Sequence, residues 1–117
     1  MIKDISRPEV ENVLLAVVKH DADDWKVYLL NRSNEVLHTV MTTSKGYGNK
    51  EGEAQKTSIL RHMIPHLEAN EYALIEPMDP SVFHLSNEYW VSYFIDKQLY
   101  DKKYIFVPDS IKDENMV

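Results

Sequence analysis

The stretch EYWVSYFIDKQLYDKKYIFV, from Glu88 to Val107, decides the fold. Seven of the twelve aromatic residues of the chain lie in it, in two runs of β-favouring residues. The polar triplet Asp96, Lys97 and Gln98 separates the two runs. This pattern predicts an antiparallel β-hairpin.

The length of the turn sets which residues share a face of this hairpin. If the turn consists of Asp96 and Lys97, Tyr93 pairs with Tyr100. One face then holds Tyr89, Tyr93, Tyr100, Tyr104 and Phe106. The other holds Trp90, Phe94, Leu99, Ile105 and Val107. We expect this register, with the Trp90 side in the core and the tyrosine side left for another surface to cover. A third loop residue, Gln98, would mix the two sets.

The chain before the hairpin shows further strand patterns and turn signals every eight to twelve residues. Strands are expected over 12–18, 25–30, 35–44, 70–77 and 82–85. The continuous apolar run from Val13 to Val18 is typical of a strand buried on both faces. All three glycines, Gly46, Gly48 and Gly52, follow the third strand and predict a long, mobile, exposed loop around Tyr47.

Residues 54–66 allow two interpretations. Apolar residues recur there at helical spacing, whereas Thr57, Ser58 and Ile59 favour extended chain and Pro65 disfavours helical Ile64. We favour a strand. The fold expected is therefore all-β, a two-sheet antiparallel sandwich of seven or eight strands with an immunoglobulin-like or fibronectin-like arrangement. The alternative is an α+β fold with residues 54–66 as a helix.

Composition limits the classes of partner and compartment. The 117 residues fit one domain, 1–117, with 1–11 as an arm and 108–117 as a polar tail. A net charge of −6 without a basic cluster argues against nucleic acid and against an anionic membrane surface. The chain has no cysteine, and its first residues form no apolar signal segment. We expect a cytoplasmic protein.

Five segments together resemble a known family: VYLLNRSN, TSKGYG, QKTSILRH, NEYWVSYFID and YDKKYIFVPDSI. They are similar to short, uncharacterised bacterial proteins, some labelled phenylalanyl-tRNA synthetase alpha subunit. The resemblance covers nearly the whole chain and implies a small cytoplasmic protein of unknown function, with no catalytic residues to carry over. We expect no synthetase activity, because a class II catalytic subunit needs a much larger antiparallel domain. Similar proteins have Asp followed by Gly where this chain has Asp96 and Lys97. Glycine adopts a positive φ in a tight hairpin turn without strain, whereas Lys97 at a positive φ would bear a steric cost.

No motif for catalysis, metal binding or cofactor binding stands out. On a strand, His62 and His66 would stand about 13 Å apart, too far for one metal ion. Ser58 and His62 lack the nucleophile elbow and oxyanion loop of a hydrolase. Gly46 and Gly48 match no phosphate-binding loop. We therefore predict no catalytic, metal or cofactor residues.

Two functions remain open. The first, which we favour, is a non-catalytic interaction module that forms a homodimer or binds an unidentified protein partner. Its candidate interaction residues are Tyr47, Arg61, Tyr89, Tyr93, Tyr100 and Tyr104. For Arg61 itself, a structural salt bridge is the favoured interpretation. The second function is a small-molecule binder or weak hydrolase with a pocket near the Gly-rich loop.

Overall fold

The computed structural model of the chain describes residues 12–21, 24–50, 53–57 and 59–108. Its strands are β1 (Val13–Asp21), β2 (Asp24–Asn31), β3 (Leu37–Lys50), β4 (Glu53–Lys56), β5 (Leu60–Leu67), β6 (Tyr72–Met78), β7 (Ser86–Ile95) and β8 (Gln98–Phe106). A 3-10 turn, Pro80–Val82, is the only helical element within those ranges. The predicted arm 1–11 and residues 109–117 of the predicted tail lie outside them.

The strands form two antiparallel sheets that pack face to face. The first sheet has the order β1-β2-β6. In the second sheet, β7 lies between β3 and β8 and pairs with both of them. On the side of β3 away from β7, residues 37–44 pair with β5 and residues 47–50 pair with β4. This sheet therefore has five strands and is four strands wide. The predicted two-sheet sandwich is confirmed.

Residues 54–66 are extended, and the helical alternative is wrong for the described residues among them. They form two strands because the chain steps away from β3 at Thr57. Thr57 donates its N–H to the Gly46 carbonyl at 2.8 Å and accepts the Gly46 N–H on its hydroxyl at 2.7 Å. Pro65 is tolerated because β5 is an edge strand, where a missing N–H breaks no ladder on the open side.

The core lies between the two sheets. In β2 every second residue is buried, from Trp25 to Asn31, as expected for a strand with one face inward. The prediction that Val13 to Val18 is buried on both faces is wrong. Val13 and Val17 are buried, but Leu14 is 36% exposed, because β1 is an edge strand whose outer face has no layer over it.

The hairpin has the predicted register, but its core face was predicted wrongly. Tyr93 pairs with Tyr100 across a two-residue turn. The buried residues of β7 are on the tyrosine side, Asn87, Tyr89, Val91 and Tyr93, whereas Trp90 is 43% exposed. For Tyr89 and Tyr104, this inward position is possible because their hydroxyl groups have acceptors. The Tyr89 hydroxyl donates to Glu76 at 2.9 Å and that of Tyr104 to the Val13 carbonyl.

Two local predictions need correction. The turn residue with positive φ is Asp96, at 54°, so the left-handed conformation falls on a residue type that tolerates it rather than on Lys97. Residues 82–85 are not a strand. Asp79 accepts the Ser81 N–H and Pro80 starts a 3-10 turn, which Phe83 continues by donating to the Pro80 carbonyl at 3.0 Å.

The expected Gly-rich loop is also wrong for Gly46 and Gly48, because both lie inside β3. Gly52 lies outside the described residues. A Cβ atom at Gly46 would lie 3.0 Å from the Thr57 methyl group and 3.3 Å from the Asn87 amide oxygen. At Gly48 it would lie 3.2 Å from a methyl group of Leu85. These glycines allow close packing on β3 rather than chain flexibility.

Replacing Gly46 by valine should lower the free energy of unfolding by about 1–3 kcal/mol, because the new side chain has no space beside Thr57 and Asn87. Urea denaturation followed by circular dichroism measures the change. Thr43→Val, three residues earlier on the opposite face of β3, is the control and should change the value by less than about 0.5 kcal/mol. Equal stability of the two variants would contradict the close packing at Gly46.

Candidate functional site

A buried carboxylate lies at the centre of the most polar part of the core. Glu76 on β6 is only 8% exposed. The Ser44 hydroxyl donates to both of its oxygens at 3.1 Å, and the Tyr89 hydroxyl donates to Oε2 at 2.9 Å. His62 Nε2 lies 3.0 Å from Oε1. These donors offset the large cost of removing a carboxylate from water.

A β-bulge turns Glu76 toward the interior. In the pairing of β2 with β6, Val27 lies opposite Glu76 and Tyr28 opposite Leu74, which leaves Ile75 without a partner. The extra residue puts both Ile75 and Glu76 inside, as a bulge can do by redirecting side chains. The partners of Glu76 come from three strands of the other sheet: Ser44 from β3, His62 from β5 and Tyr89 from β7. The cluster therefore joins the two sheets.

The environment of the tyrosines keeps them protonated. Burial raises the pKa of Tyr89 well above its usual range, and the Glu76 charge and hydrogen bond add to this effect. Burial also raises the pKa of Tyr93, with contributions from Tyr104 and Tyr100. It raises the pKa of Tyr104 to about 12. Tyr89 is therefore a permanent O–H donor to Glu76 at neutral pH.

A cavity of about 240 Å³ opens beside this cluster, between the ends of the two sheets. Glu76, Ser44 and Tyr89 form part of its wall, and Gly46 lies in the wall with them. Apolar side chains complete it, among them Leu60, Met78 and Val82. The cavity wall is thus mostly apolar, with a smaller polar part at Glu76, and Gly46 of β3 lies in it.

The second notable surface is the outer side of the five-stranded sheet, which we name the Trp90 face. Its members follow from the strand pairings: Met41, Thr43, Lys45, Tyr47, Arg61, Met63, Glu88, Trp90, Ser92, Phe94, Leu99, Asp101, Lys103 and Ile105. Met41, Met63, Trp90 and Ile105 are each between 43% and 62% exposed. One row across the sheet reads Arg61, Thr43, Trp90, Lys103.

Charges on the Trp90 face surround Trp90. Lys45 and Lys103 lie 3.8 and 3.9 Å from the Glu88 carboxylate, and the Lys103 ammonium lies 5.9 Å from the Trp90 ring centroid. Tyr47 donates a long hydrogen bond, 3.4 Å, to Glu88. Arg61 makes no ion pair with any residue that the structure describes, so the salt bridge expected for it is not seen there.

The structure divides the predicted interaction residues between two places. Tyr47 and Arg61 lie on the Trp90 face, where a partner could reach them. The four tyrosines of the hairpin, Tyr89, Tyr93, Tyr100 and Tyr104, lie on the inner side. Tyr89 and Tyr93 are 2% exposed, so the surface that covers them is the chain itself. Tyr89 and Tyr93 therefore cannot serve as a docking surface, whereas Tyr100 and Tyr104 on β8 are partly exposed.

The next feature is the placement of the histidine and acidic side chains, which could form a metal site. Across the described ranges, no three His, Cys, Asp or Glu side chains lie close enough to hold a metal ion. His62 contacts Glu76, whereas His66 lies 3.5 Å from Glu68. Ser58, considered above as a nucleophile, lies outside the described residues.

Comparison with known proteins adds no assignment. No family model matches the chain, and no curated protein matches it significantly. The resemblance to short bacterial proteins therefore stays a prediction. In the part of the chain that the structure describes, no helix has the length and apolar character needed to cross a membrane.

Proposed function

We propose that the protein is a non-catalytic, cytoplasmic β-sandwich module that binds a protein partner through the Trp90 face. The observation that supports this most is the exposed Trp90, which lies opposite Lys103 in a row that Arg61 begins one strand beyond Thr43. Trp, Tyr, Arg and Met are the residue types enriched at protein interfaces, and Trp and Arg dominate their binding energy. All four types occur on this one sheet face.

The Trp90 face carries two apolar pairs in neighbouring rows across the strands. Met63 on β5 lies opposite Met41 on β3, and Phe94 on β7 lies opposite Leu99 on β8. These side chains remain partly open to solvent although the sandwich has a well-filled core. An apolar patch with a charged border is typical of a docking surface.

Charge favours a different protein over a second copy as the partner. The chain has a net charge of −6, yet the cations of the Trp90 face, Lys45, Arg61 and Lys103, outnumber its acids, Glu88 and Asp101. Two copies docked through the same face would bring like charges together. A partner with an acidic surface is therefore the better fit.

The hydrogen bonds of Glu76 favour a structural role over a catalytic role for Ser44 and His62. Ser44 donates to both oxygens of Glu76, and His62 Nε2 contacts Oε1 of the same carboxylate. A serine nucleophile needs a base that accepts its proton and is itself held by a third group. Here the Ser44 hydroxyl donates to Glu76 rather than to His62.

Trp90→Ser and Arg61→Glu should each weaken partner binding by at least about tenfold. The measurement is quantitative affinity capture with purified variants, followed by calorimetry on the captured protein, with analytical ultracentrifugation for self-association. Tyr72→Ser is the control, since Tyr72 is exposed on the outer side of the other sheet. A partner that all three variants retain equally, or a strictly monomeric protein with no partner, would contradict the proposal.

A further inference from the structure

In the wall of the cavity beside Glu76, the side-chain hydroxyl and amide donors already donate to acceptors within the protein. Ser44 and Tyr89 both donate their hydroxyl protons to Glu76. The Asn87 amide nitrogen donates to the carbonyls of Val82 and Leu85, at 3.0 and 3.1 Å. The Gly46 N–H donates to the Thr57 hydroxyl oxygen. A ligand in this cavity would find few donors available.

The groups that remain on the wall are acceptors. Glu76 supplies a negative charge, although its two oxygens already accept from Ser44 and Tyr89. The Asn87 amide oxygen lies on the Gly46 side of the cavity. Asp79 adds a second carboxylate at the exposed rim, where the backbone N–H and hydroxyl of Ser81 hold its pKa below the usual value. Lys45 also borders the cavity, but its ammonium group lies between Glu88 and the Tyr47 ring on the Trp90 face.

We infer that this cavity is a binding site for a primary ammonium group on a short aliphatic stem, either a free alkylamine or a lysyl side chain. An ammonium group brings three donors and no acceptor, which complements a wall of acceptors. Two carboxylates exclude an anion. This site is separate from the Trp90 face and does not depend on the function proposed for it.

The size and the apolar part of the cavity define the rest of the ligand. Leu60, Met78 and Val82 form an apolar surface that an aliphatic stem can cover. A volume of about 240 Å³ is below the roughly 300–1,000 Å³ of pockets for drug-sized molecules. A hydrated divalent cation would leave this apolar surface, which is most of the wall, unused, since such ions require several oxygen ligands.

Titration with n-pentylammonium chloride, followed by backbone amide NMR, tests the inference. Saturable shifts are expected at Ser44, Gly46 and Tyr89, which lie on the cavity wall. The neutral 1-pentanol and the anionic hexanoate should bind at least about tenfold more weakly, the ratio that corresponds to one charge-assisted hydrogen bond. A second series with Nα-acetyl-lysine methylamide distinguishes a lysyl side chain from a free amine.

Two variants locate the binding. Glu76→Gln and Asp79→Asn each remove one negative charge from the wall, and Asn can still cap the 3-10 turn. We expect the dissociation constant for n-pentylammonium to rise at least about tenfold in Glu76→Gln and several-fold in Asp79→Asn. Glu35→Gln, in the exposed turn between β2 and β3, is the matched charge control and should bind like the unchanged protein.

The inference is overturned if n-pentylammonium and the capped lysine bind no more tightly than 1-pentanol. It is also overturned if the ammonium ligand binds but neither carboxylate variant weakens the binding. Should Glu76→Gln fail to fold, Asp79→Asn decides, because the Asp79 side chain is exposed and contacts only its own turn. Binding of either ammonium ligand that the carboxylate variants weaken supports the site.

Discussion

Truncating Tyr93 to alanine should lower the free energy of unfolding by about 3–5 kcal/mol, the usual cost of removing a buried aromatic ring. Tyr93 is 2% exposed, and its ring stacks on that of Tyr100 with centroids 5.6 Å apart and planes 9° apart. Equilibrium denaturation in urea, monitored by circular dichroism, measures the loss.

Trp90 provides the control for this result. It lies three residues earlier on the same strand, on the opposite side of the sheet, and 43% of it is exposed. Trp90→Ala should therefore cost roughly 1 kcal/mol or less, although it removes the larger ring. If Trp90→Ala were the more destabilising variant, the tyrosine side would not be the core.

The protein should unfold at alkaline pH because three tyrosines, Tyr89, Tyr93 and Tyr104, lose their protons more easily in the unfolded chain. Their pKa values are raised in the folded state, that of Tyr104 to about 12 and those of Tyr89 and Tyr93 well above the usual range, mainly through burial. In the unfolded chain tyrosine loses its proton near pH 10. Above that pH the folded state binds more protons than the unfolded state, so stability is complete below about pH 10 and falls as pH rises.

The expected size of this effect is large. One such group contributes about 1.4 kcal/mol per pH unit. Three groups should contribute roughly 3 kcal/mol per unit, less than the full sum because Tyr104 is only partly buried. From about pH 10 to pH 12 the loss is comparable to the whole stability of a small domain, about 5–15 kcal/mol.

Urea denaturation at a series of pH values from about 8 to 12 measures the slope of stability against pH. Ultraviolet absorbance of tyrosinate, followed in parallel, should rise together with unfolding. Tyr104→Phe removes one of the three groups and should reduce the slope by less than a third, because Tyr104 is only partly buried. The slope is the quantity to compare, because this variant also loses the hydrogen bond to the Val13 carbonyl. Parallel curves for the two proteins would contradict a role for Tyr104.

Local patterns were sufficient to predict the hairpin and the class of fold. The register depends on the turn at Asp96 and on alternation along β7 and β8, and both are properties of neighbouring residues. The strand over 25–30 was visible for the same reason, since alternate residues face one core. In residues 54–66, Pro65 correctly indicated an extended chain against the helical spacing of the apolar residues.

The core face of the hairpin was predicted wrongly because aromatic rings occur on both of its sides, and the charged residues are what distinguish them. Glu88 and Lys103 are on the same side as Trp90, and such residues are rarely buried without partners. Tyr89 and Tyr104 can be buried because their hydroxyl groups find acceptors on β6 and β1, far away in sequence. No local pattern shows where those acceptors will be.

The candidate site in the core was missed for a related reason. Glu76 sits in an apolar strand, and simple alternation does not show that a bulge at Ile75 will turn it inward. The glycines near it suggested a flexible loop, whereas they are needed because Thr57 and Leu85 approach β3 closely. Both features depend on pairing with distant strands, which the local sequence does not specify.

The two tryptophans lie in opposite environments, and this makes them separate optical reporters. Trp25 is 6% exposed and packs edge to face against Phe83, with ring centroids 5.0 Å apart. The Trp90 indole is in contact with water. In a Trp90→Phe variant the remaining fluorescence follows the integrity of the core, and in a Trp25→Phe variant it follows solvent access to the Trp90 face. The two single-tryptophan variants can therefore report unfolding and docking separately, each through its own fluorescence emission.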